Sequence, residues 1–319
     1  MKKIIITGGA GFLGQKLAHQ LLQQTSLAFD ELLLLDIIEA NIPNNDGRVK
    51  SIALDLSNKG EVEKLIDDQC IAIFHLAAIV SSHAESDFDL GMQVNFDITR
   101  NLLEICRHLA PKVKFIFTSS LAVFGGELPE VITDSTAVTP QSSYGAEKAM
   151  GELLVNDYIR KGFVDGCVVR LPTICVRPGK PNKAASSFVS SIIREPLQGD
   201  SAICPVNPEL QLWLSSPALV IHNIIHAATL NADSFGSYRT INLPGITVSV
   251  EEMLQTLKSV AGDEAYQRVE FKEDEGVNKI VSSWPGKFDV TSAQKMGFIQ
   301  NTDFSEIIQE FIKNDISVN

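Results

Sequence analysis

Tyr144 and Lys148 stand four residues apart in Tyr144-Gly-Ala-Glu-Lys148, a spacing that puts both on one face of a helix. A free phenol loses its proton near pH 10, too high for a base in neutral solution. An ammonium group held close favours the phenolate and lowers that value. Such a pair can take the proton of a hydroxyl group as a hydride leaves the same carbon, with the lysine also free to hold a ribose. Twenty-four residues before Tyr144, Thr118-Ser119-Ser120 closes an apolar run. A hydroxyl there, Ser120 by preference, can bond the reacting oxygen and stabilise its developing charge. Taken alone, the Tyr/Lys pair also fits an aromatic packed at the start of a helix.

Hydride transfer needs an acceptor, and the start of the chain is built to hold one. Residues 4–14 read Ile-Ile-Ile-Thr-Gly-Gly-Ala-Gly-Phe-Leu-Gly, an apolar run breaking into spaced glycines before a helical pattern begins. The spacing fits Gly9-x-Gly11-x-x-Gly14 and equally Thr7-Gly8-x-x-Gly11-x-x-Gly14, the pattern of a strand, a phosphate-cradling turn and a helix. Gly9 is expected to allow the sharp turn, Gly11 to let backbone approach a pyrophosphate, and Gly14 to let the helix pack closely. Open N–H groups at the helix start, around Phe12 and Leu13, would face the phosphates. A second apolar run, residues 32–35, ends in Asp36, 22 residues past Gly14. The acid that binds the adenosine ribose hydroxyls sits at about that spacing. Ile37 and Ile38 follow, with no Arg or Lys to offset a 2′-phosphate, so NAD is expected rather than NADP. The other reading of Asp36 is a strand-end turn residue.

These residues need a frame, and the first half of the chain supplies one. Short apolar strands are predicted at 3–7, 32–36, 49–54, 71–76, 113–118 and 168–171. Helices are predicted at 14–24, 59–68, 88–109 and 144–161. Such alternation implies a parallel sheet covered on both faces, an α/β Rossmann-type doubly wound architecture. Past Pro172 the pattern changes. Residues 177–181 read as a loop, helices are predicted at 186–194, 216–230 and 250–260, and strands near 211–214, 238–242 and 269–272. The expected organisation is a dinucleotide-binding domain over 1–171 and a smaller substrate-binding lobe over 172–319. The two interleave, because the strand near 238–242 can rejoin the main sheet. Substrate would lie between them, at the carboxyl ends of the strands.

Composition removes other classes. The 319 residues carry 27 basic and 39 acidic side chains, a net charge of −12, which argues against nucleic acid or an anionic membrane as partner. The first residues are broken by glycine too soon for a secretory signal, and no apolar stretch approaches a membrane span. Five scattered cysteines (70, 106, 167, 175, 204) suggest reduced thiols and a cytoplasmic protein. No Cys/His cluster or acid pair has metal-site spacing, so no catalytic metal is expected. Arg177, on the proline-rich loop, either forks onto a substrate carboxylate or lies on the surface. Ser81 and Ser82 either touch substrate hydroxyls or sit in a solvated loop. His83 reads as a loop histidine and Arg170 as a structural strand-end residue.

Four segments, in this order, resemble the extended short-chain dehydrogenase/reductase family over essentially the whole chain. They are Thr7-Gly-Gly-Ala-Gly-Phe-Leu-Gly14, His75-Leu-Ala-Ala78, Thr118-Ser-Ser-Leu-Ala-Val-Phe-Gly125 and Tyr144-x-x-x-Lys148. The resemblance implies a seven-stranded Rossmann sheet, a tightly bound NAD and a Ser120–Tyr144–Lys148 catalytic set. It places Gly8, Gly11, Phe12, Leu13, Gly14, Leu76, Ala77, Ala78, Thr118, Tyr144 and Lys148 on the cofactor, and Asp55 and Leu56 by the adenine. Asn95 would brace the central helix; loop cap for Asp55 and buried bracket for Asn95 are the structural alternatives. It also implies a homodimer through helices 88–109 and 144–161. The family's nucleotide-sugar epimerases carry Asn where Arg170-Leu-Pro-Thr173 has Thr173, and no basic cluster for a sugar diphosphate is evident. Stretches such as Pro140-Gln-Ser-Ser-Tyr144, Arg177-Pro-Gly179 and Ile193-Arg-Glu-Pro196 instead resemble a branch that oxidises a four-carbon sugar acid at C2, D-erythronate to 2-dehydro-D-erythronate. Ser81, Ser120, Tyr144, Thr173 and Arg177 would then meet the substrate. A nucleotide-sugar epimerase or dehydratase with bound NAD, or a non-catalytic dinucleotide sensor, are the alternatives.

Overall fold

The apolar run near the start of the chain becomes β1 (Lys3–Thr7), every residue of which is buried. The structure, a computed structural model, describes residues 1–24, 26–179 and 184–316. After β1 come α1 (Phe12–Gln23), β2 (Glu31–Asp36), β3 (Val49–Ala53), α2 (Lys59–Glu63), β4 (Cys70–His75), α3 (Ser81–Ser86) and α4 (Phe88–Gly91). Then follow α5 (Ile98–Leu109), β5 (Lys114–Ser120), α6 (Ser143–Arg160), β6 (Asp165–Leu171), β7 (Thr173–Ile174), α7 (Ser187–Gln198), β8 (Ala202–Cys204) and β9 (Gln211–Ser215). The chain closes with α8 (Pro217–Thr229), β10 (Thr240–Asn242), β11 (Ile246–Ser249), α9 (Val250–Gln267), β12 (Val269–Phe271), α10 (Glu275–Val281), α11 (Thr291–Lys295) and α12 (Phe304–Phe311).

Seven strands form the main sheet in the order β10-β6-β5-β4-β1-β2-β3, with every neighbouring pair parallel. The period-two alternation of a strand decides which residue faces which layer. Ile4, Ile6, Leu32 and Leu34 pack with Leu17 and Leu21 of α1 and Val220 and Ile224 of α8. Ile5, Leu33 and Leu35 point the other way, onto Ile98 and Leu102 of α5 and Val155 and Ile159 of α6. The sheet is therefore covered on both sides, as the sequence pattern implies. A third core gathers Phe188 and Ile192, Leu212 and Leu214, Leu254 and Leu257, and Ile307 and Phe311, around a small sheet ordered β11-β9-β7. β10 pairs with Val168, Val169 and Arg170 of β6, so the chain returns to the main sheet from among these later elements.

Several predicted boundaries are corrected. The helix expected over 59–68 stops at Glu63, because the chain turns to place Leu65 O and Asp67 on the Lys3 ammonium at 3.0 and 2.7 Å. Ser81, Ser82 and His83 fall in α3 rather than in a loop, so His83 is helical. The stretch 88–109 divides into α4, a π-helical turn at Met92–Asp97, and α5. The helix expected at 250–260 runs to Gln267 through a break at Gly262, whose φ of 86° lies in the left-handed region. Strands β7, β8 and β11 and helices α10 and α11 are too short to leave a clear periodic signal; α12 does carry one, with Phe304, Ile307, Ile308 and Phe311 buried on one face. Residues 180 and 181 of the predicted 177–181 loop lie outside the described residues.

One buried ion pair ties the sheet to α6. Arg170 gives Nε and Nη2 to the two oxygens of Glu152 at 2.9 and 2.7 Å, and Nη1 to Asn242 Oδ1 at 3.3 Å. Ser119 Oγ donates to the same carboxylate, and the guanidinium lies over the Phe124 ring. β5, β6, β10 and α6 thus share one charge-assisted network, and Arg170 is structural, as its strand-end position suggests. Both partners are almost wholly buried, so removing one strands the other in a poorly solvating interior. Arg170→Ala should lower the unfolding free energy by about 3–5 kcal/mol; chemical denaturation followed by circular dichroism measures it, and a loss near zero would show the pair to be dispensable.

Candidate active site

A cavity of about 230 Å³ opens beyond the carboxyl ends of β5 and β6, where a parallel sheet puts its ligands. Ser120 lies on its wall at the end of β5; Tyr144 and Lys148 come from the first turns of α6; Thr173 comes from β7, and Arg177 from the segment after it. Leu13, Leu76, Ala78, Ser81 and Thr118 also line it, and Ser81 Oγ accepts the Ala185 N–H at 3.4 Å. Ser142 Oγ accepts the Gly145 N–H at 3.2 Å and caps α6, fixing where Tyr144 enters. The Ser120 hydroxyl lines the cavity with the Tyr144 phenol and acts on it in the direction that favours ionisation; Ser120 Oγ itself accepts the Ala122 N–H at 3.2 Å. Lys148 Nζ donates to Thr118 O at 3.0 Å and lies 5.8 Å from the centre of the Tyr144 ring.

The electrostatics correct one expectation. The Tyr144 phenol is not more acidic than usual. Burial pushes it up to about 12, against the Ser120 hydroxyl and the positive charge of Arg177. The Lys148 ammonium is turned toward the Thr118 carbonyl rather than the phenol. Burial also draws Lys148 down to about 8, opposed by Glu147 and then Glu152. Arg177 gives its backbone N–H to Ser190 Oγ at 3.0 Å, and its Nη2 is 3.5 Å from Ser186 Oγ. Among the described residues no carboxylate lies within ion-pair distance of it. The cavity thus holds a guanidinium not yet committed to an acid.

The glycine turn fits a dinucleotide, with one change of role. Gly8, not Gly9, takes the left-handed conformation, φ 74°, and a Cβ there would fall 2.9 Å from Ala77 N. Gly9 is small because Leu34 of β2 packs against it, a Cβ meeting that side chain at 2.8 Å. A Cβ on Gly14 would strike Gly8 O at 2.2 Å, so only glycine lets α1 come this close to the turn. Gly11 is exposed, and α1 begins at Phe12 with neither a side-chain cap nor an acid in its first turn. Its leading N–H groups are therefore open to an anion. Asp36 ends β2 and accepts N–H bonds from Ala10 (3.0 Å) and Ile37 (2.8 Å), joining the turn to the neighbouring strand. Among the described residues no Lys or Arg pairs with it. Leu13, in the first turn of α1 next to the glycine turn, also lines the cavity that holds Tyr144.

Other predicted residues sit differently. Asp55 is exposed and takes the Ser57 N–H at 2.8 Å, a loop cap, while Leu56 is buried in the core under β2. Asn95 is buried and does not line the cavity; it brackets Ile79 through N–H and C=O (2.9 and 3.2 Å) and donates to Glu147 Oε2 at 2.6 Å. Ala184, Ser186 and Trp284 also line the cavity. Trp284 follows α10, a hundred residues beyond the other walls, and only tertiary packing brings it there.

Behind the cavity, His75 is fully buried between Phe115 and Phe117. Its Nε2 lies 2.9 Å from Thr99 Oγ1, whose hydrogen goes to Asn95 O (3.1 Å), so Nε2 carries the proton. Nδ1 then accepts from Thr7 Oγ1 at 2.7 Å, and that oxygen accepts the Ala77 N–H at 3.3 Å. The imidazole is neutral, held by burial down to about 3.

Comparison with known proteins agrees with this geometry. The NAD dependent epimerase/dehydratase family matches over residues 4–214. A protein of Haemophilus influenzae named D-erythronate dehydrogenase is 58% identical over 98% of this chain and all of its own length. One of the same name from Cupriavidus necator is 48% identical over 98% of each. The crystal structure of a protein titled nucleoside-diphosphate-sugar epimerase, from Agrobacterium tumefaciens, superposes with a TM-score of 0.94 at 40% identity, covering all of this chain and 95% of that one. The chain belongs to the NAD dependent epimerase/dehydratase family, the extended short-chain dehydrogenases/reductases that its motifs resemble. Membership implies a nicotinamide dinucleotide as cofactor and a small molecule as substrate. Among the described residues no helix is long and apolar enough to cross a membrane, and no three His, Cys, Asp or Glu side chains gather as a metal site.

His75 offers a test of the buried support. Its unfolded-state pKa is the ordinary 6.5 and its folded value about 3. Below pH 6.5 the unfolded chain takes up a proton that the folded chain refuses, so stability falls as pH drops toward 3, by about 1.4 kcal/mol per unit at most. His75→Gln should flatten this part of the curve of unfolding free energy against pH. An unchanged slope would remove His75 as its source.

Proposed function

We propose that this chain is an NAD-dependent dehydrogenase that oxidises D-erythronate at C2 to 2-dehydro-D-erythronate. One observation carries the reading most: an acid-free guanidinium, Arg177, shares a small cavity with Ser120, Tyr144 and Lys148. A short carboxylated substrate matches that set. Two relatives that align over nearly their whole length bear the name of this activity.

In this reading Arg177 takes the carboxylate, and Ser81 and Thr173 offer hydroxyl partners. Ser120 orients the C2 hydroxyl, Tyr144 removes its proton, and Lys148 holds the nicotinamide ribose. NAD, when bound, supplies the hydride acceptor. Because burial keeps the phenol high, cationic neighbours must offset that cost as the proton leaves. Asp36, with no cation beside it, favours the free ribose hydroxyls of NAD over the 2′-phosphate of NADP. Residues 1–171 serve the cofactor and 172–319 mainly the substrate. A homodimer through the 88–109 stretch and α6 is supported by Phe88 and Leu153, large apolar side chains 60% and 59% exposed there. Five free, buried cysteines accord with a cytoplasmic setting.

The name carried by the Agrobacterium neighbour favours a second reading, a nucleotide-sugar epimerase with no net redox change. A panel of four- to six-carbon sugar acids and UDP-sugars separates the two. Growth of NADH absorbance with D-erythronate supports the first, whereas UDP-sugar interconversion without free NAD consumption establishes the second. Tyr144→Phe should cut turnover by about 10²-fold or more while leaving NAD affinity nearly intact; steady-state kinetics and calorimetry check both, and full turnover would remove Tyr144 from the chemistry.

A further inference from the structure

Between Tyr144 and Lys148, on the same helix, stands a carboxyl group to which the chemistry above gives no task. Glu147 is 1% exposed. Its Oε2 accepts from Asn95 Nδ2 at 2.6 Å, while its buried Oε1 makes no hydrogen bond among the described residues. That oxygen is pressed against Gly91 so closely that a Cβ there would lie 2.3 Å away. A buried carboxyl with an unsatisfied oxygen is costly, and such groups persist where they serve something.

The neighbouring charges show what it can serve. Lys148 is 2% exposed and its Nζ meets a carbonyl, Thr118 O, not an acid. Two carboxyl groups act on it, Glu147 and Glu152. Glu152 is already neutralised by both arms of Arg170. Glu147 has no cation within ion-pair distance among the described residues. Of the elements packed on it, α3 brings Glu85, whose carboxylate takes the Ser143 N–H at 2.9 Å; α4 and the π-helical turn bring uncharged Gly91 and Asn95; α6 brings Tyr144 and Lys148. Glu147 is thus the uncommitted negative charge beside a buried ammonium.

We propose that Glu147 is a positioning residue for the oxidation, fixed by Asn95 and Gly91 so that its charge keeps Lys148 an ammonium and sets the pH range in which the Tyr144–Lys148 pair works. The inference rests on the dehydrogenase reading. Burial raises Glu147 above the ordinary carboxylate range and lowers Lys148, and the charge of each opposes that effect on the other. The same negative charge raises Tyr144. Removing it should lower both the phenol and the ammonium values together.

The test is the pH profile of D-erythronate oxidation, read as kcat against pH. Glu147→Gln keeps the acceptor for Asn95 but loses the charge; its whole profile should move to lower pH by about half a unit or more. Glu147→Asp keeps the charge but shortens the reach; its profile should stay near the wild-type position even if its KM rises. Superposition of the Gln profile on that of wild type, or movement to higher pH, would overturn the proposal. So would a shift in the Asp variant equal to that expected of Gln, which also decides the matter if the Gln protein does not fold. A wild-type protein inactive on every sugar acid would instead sink the dehydrogenase reading itself.

Discussion

Helix α6 turns three ionisable side chains inward, Glu147, Lys148 and Glu152, and each is at least 98% buried. Charge in an interior is tolerable only when something nearby answers it. The fold is arranged around those answers. Arg170 reaches across from β6 to Glu152, Asn95 comes down from the π-helical turn to Glu147, and the Thr118 carbonyl of β5 receives Lys148. Because each answer comes from a different element, satisfying the helix also fixes the ends of β5 and β6 and the loop after β4. These are the surfaces that make the cavity.

The support behind β4 extends this logic without any charge. His75 stays neutral, and two threonines dictate which nitrogen holds its proton. The chain of bonds from Ala77 through Thr7, His75 and Thr99 to Asn95 connects the loop after β4 with the residue that steadies Glu147. A neutral relay suits a position between two aromatic rings, where an imidazolium would have no counter-ion. The cavity therefore rests on one network of charges and one of neutral dipoles, meeting at Asn95.

The fold class was legible because it is written in local patterns. Residues 4–14 and 31–36 show unbroken apolar strands meeting a glycine turn, and a parallel sheet covered on both sides has few other ways to look. The Tyr144–Lys148 pair was legible because four residues on a helix make one face. What could not be read lies in tertiary contact. Which glycine takes the left-handed turn depends on Ala77 of the loop after β4 and Leu34 of β2, and so Gly8 takes the turn expected of Gly9. The tyrosine's acidity depends on desolvation, which spacing does not reveal. Trp284 arrives at the cavity by packing between two cores, and Asp55, apt in type and position, is taken up by its own loop.

Strand β10 has a consequence for how the chain can be assembled. Only three residues long, it covers the flank of β6 with a segment some seventy positions further along the chain. Until residue 242 has been made, β6 is an open sheet margin around Cys167, Val168 and Val169, the kind of edge that invites pairing with another molecule. Severing the chain near residue 171 would therefore strip β6 of its β10 neighbour and expose a sticky rim rather than liberate a tidy unit.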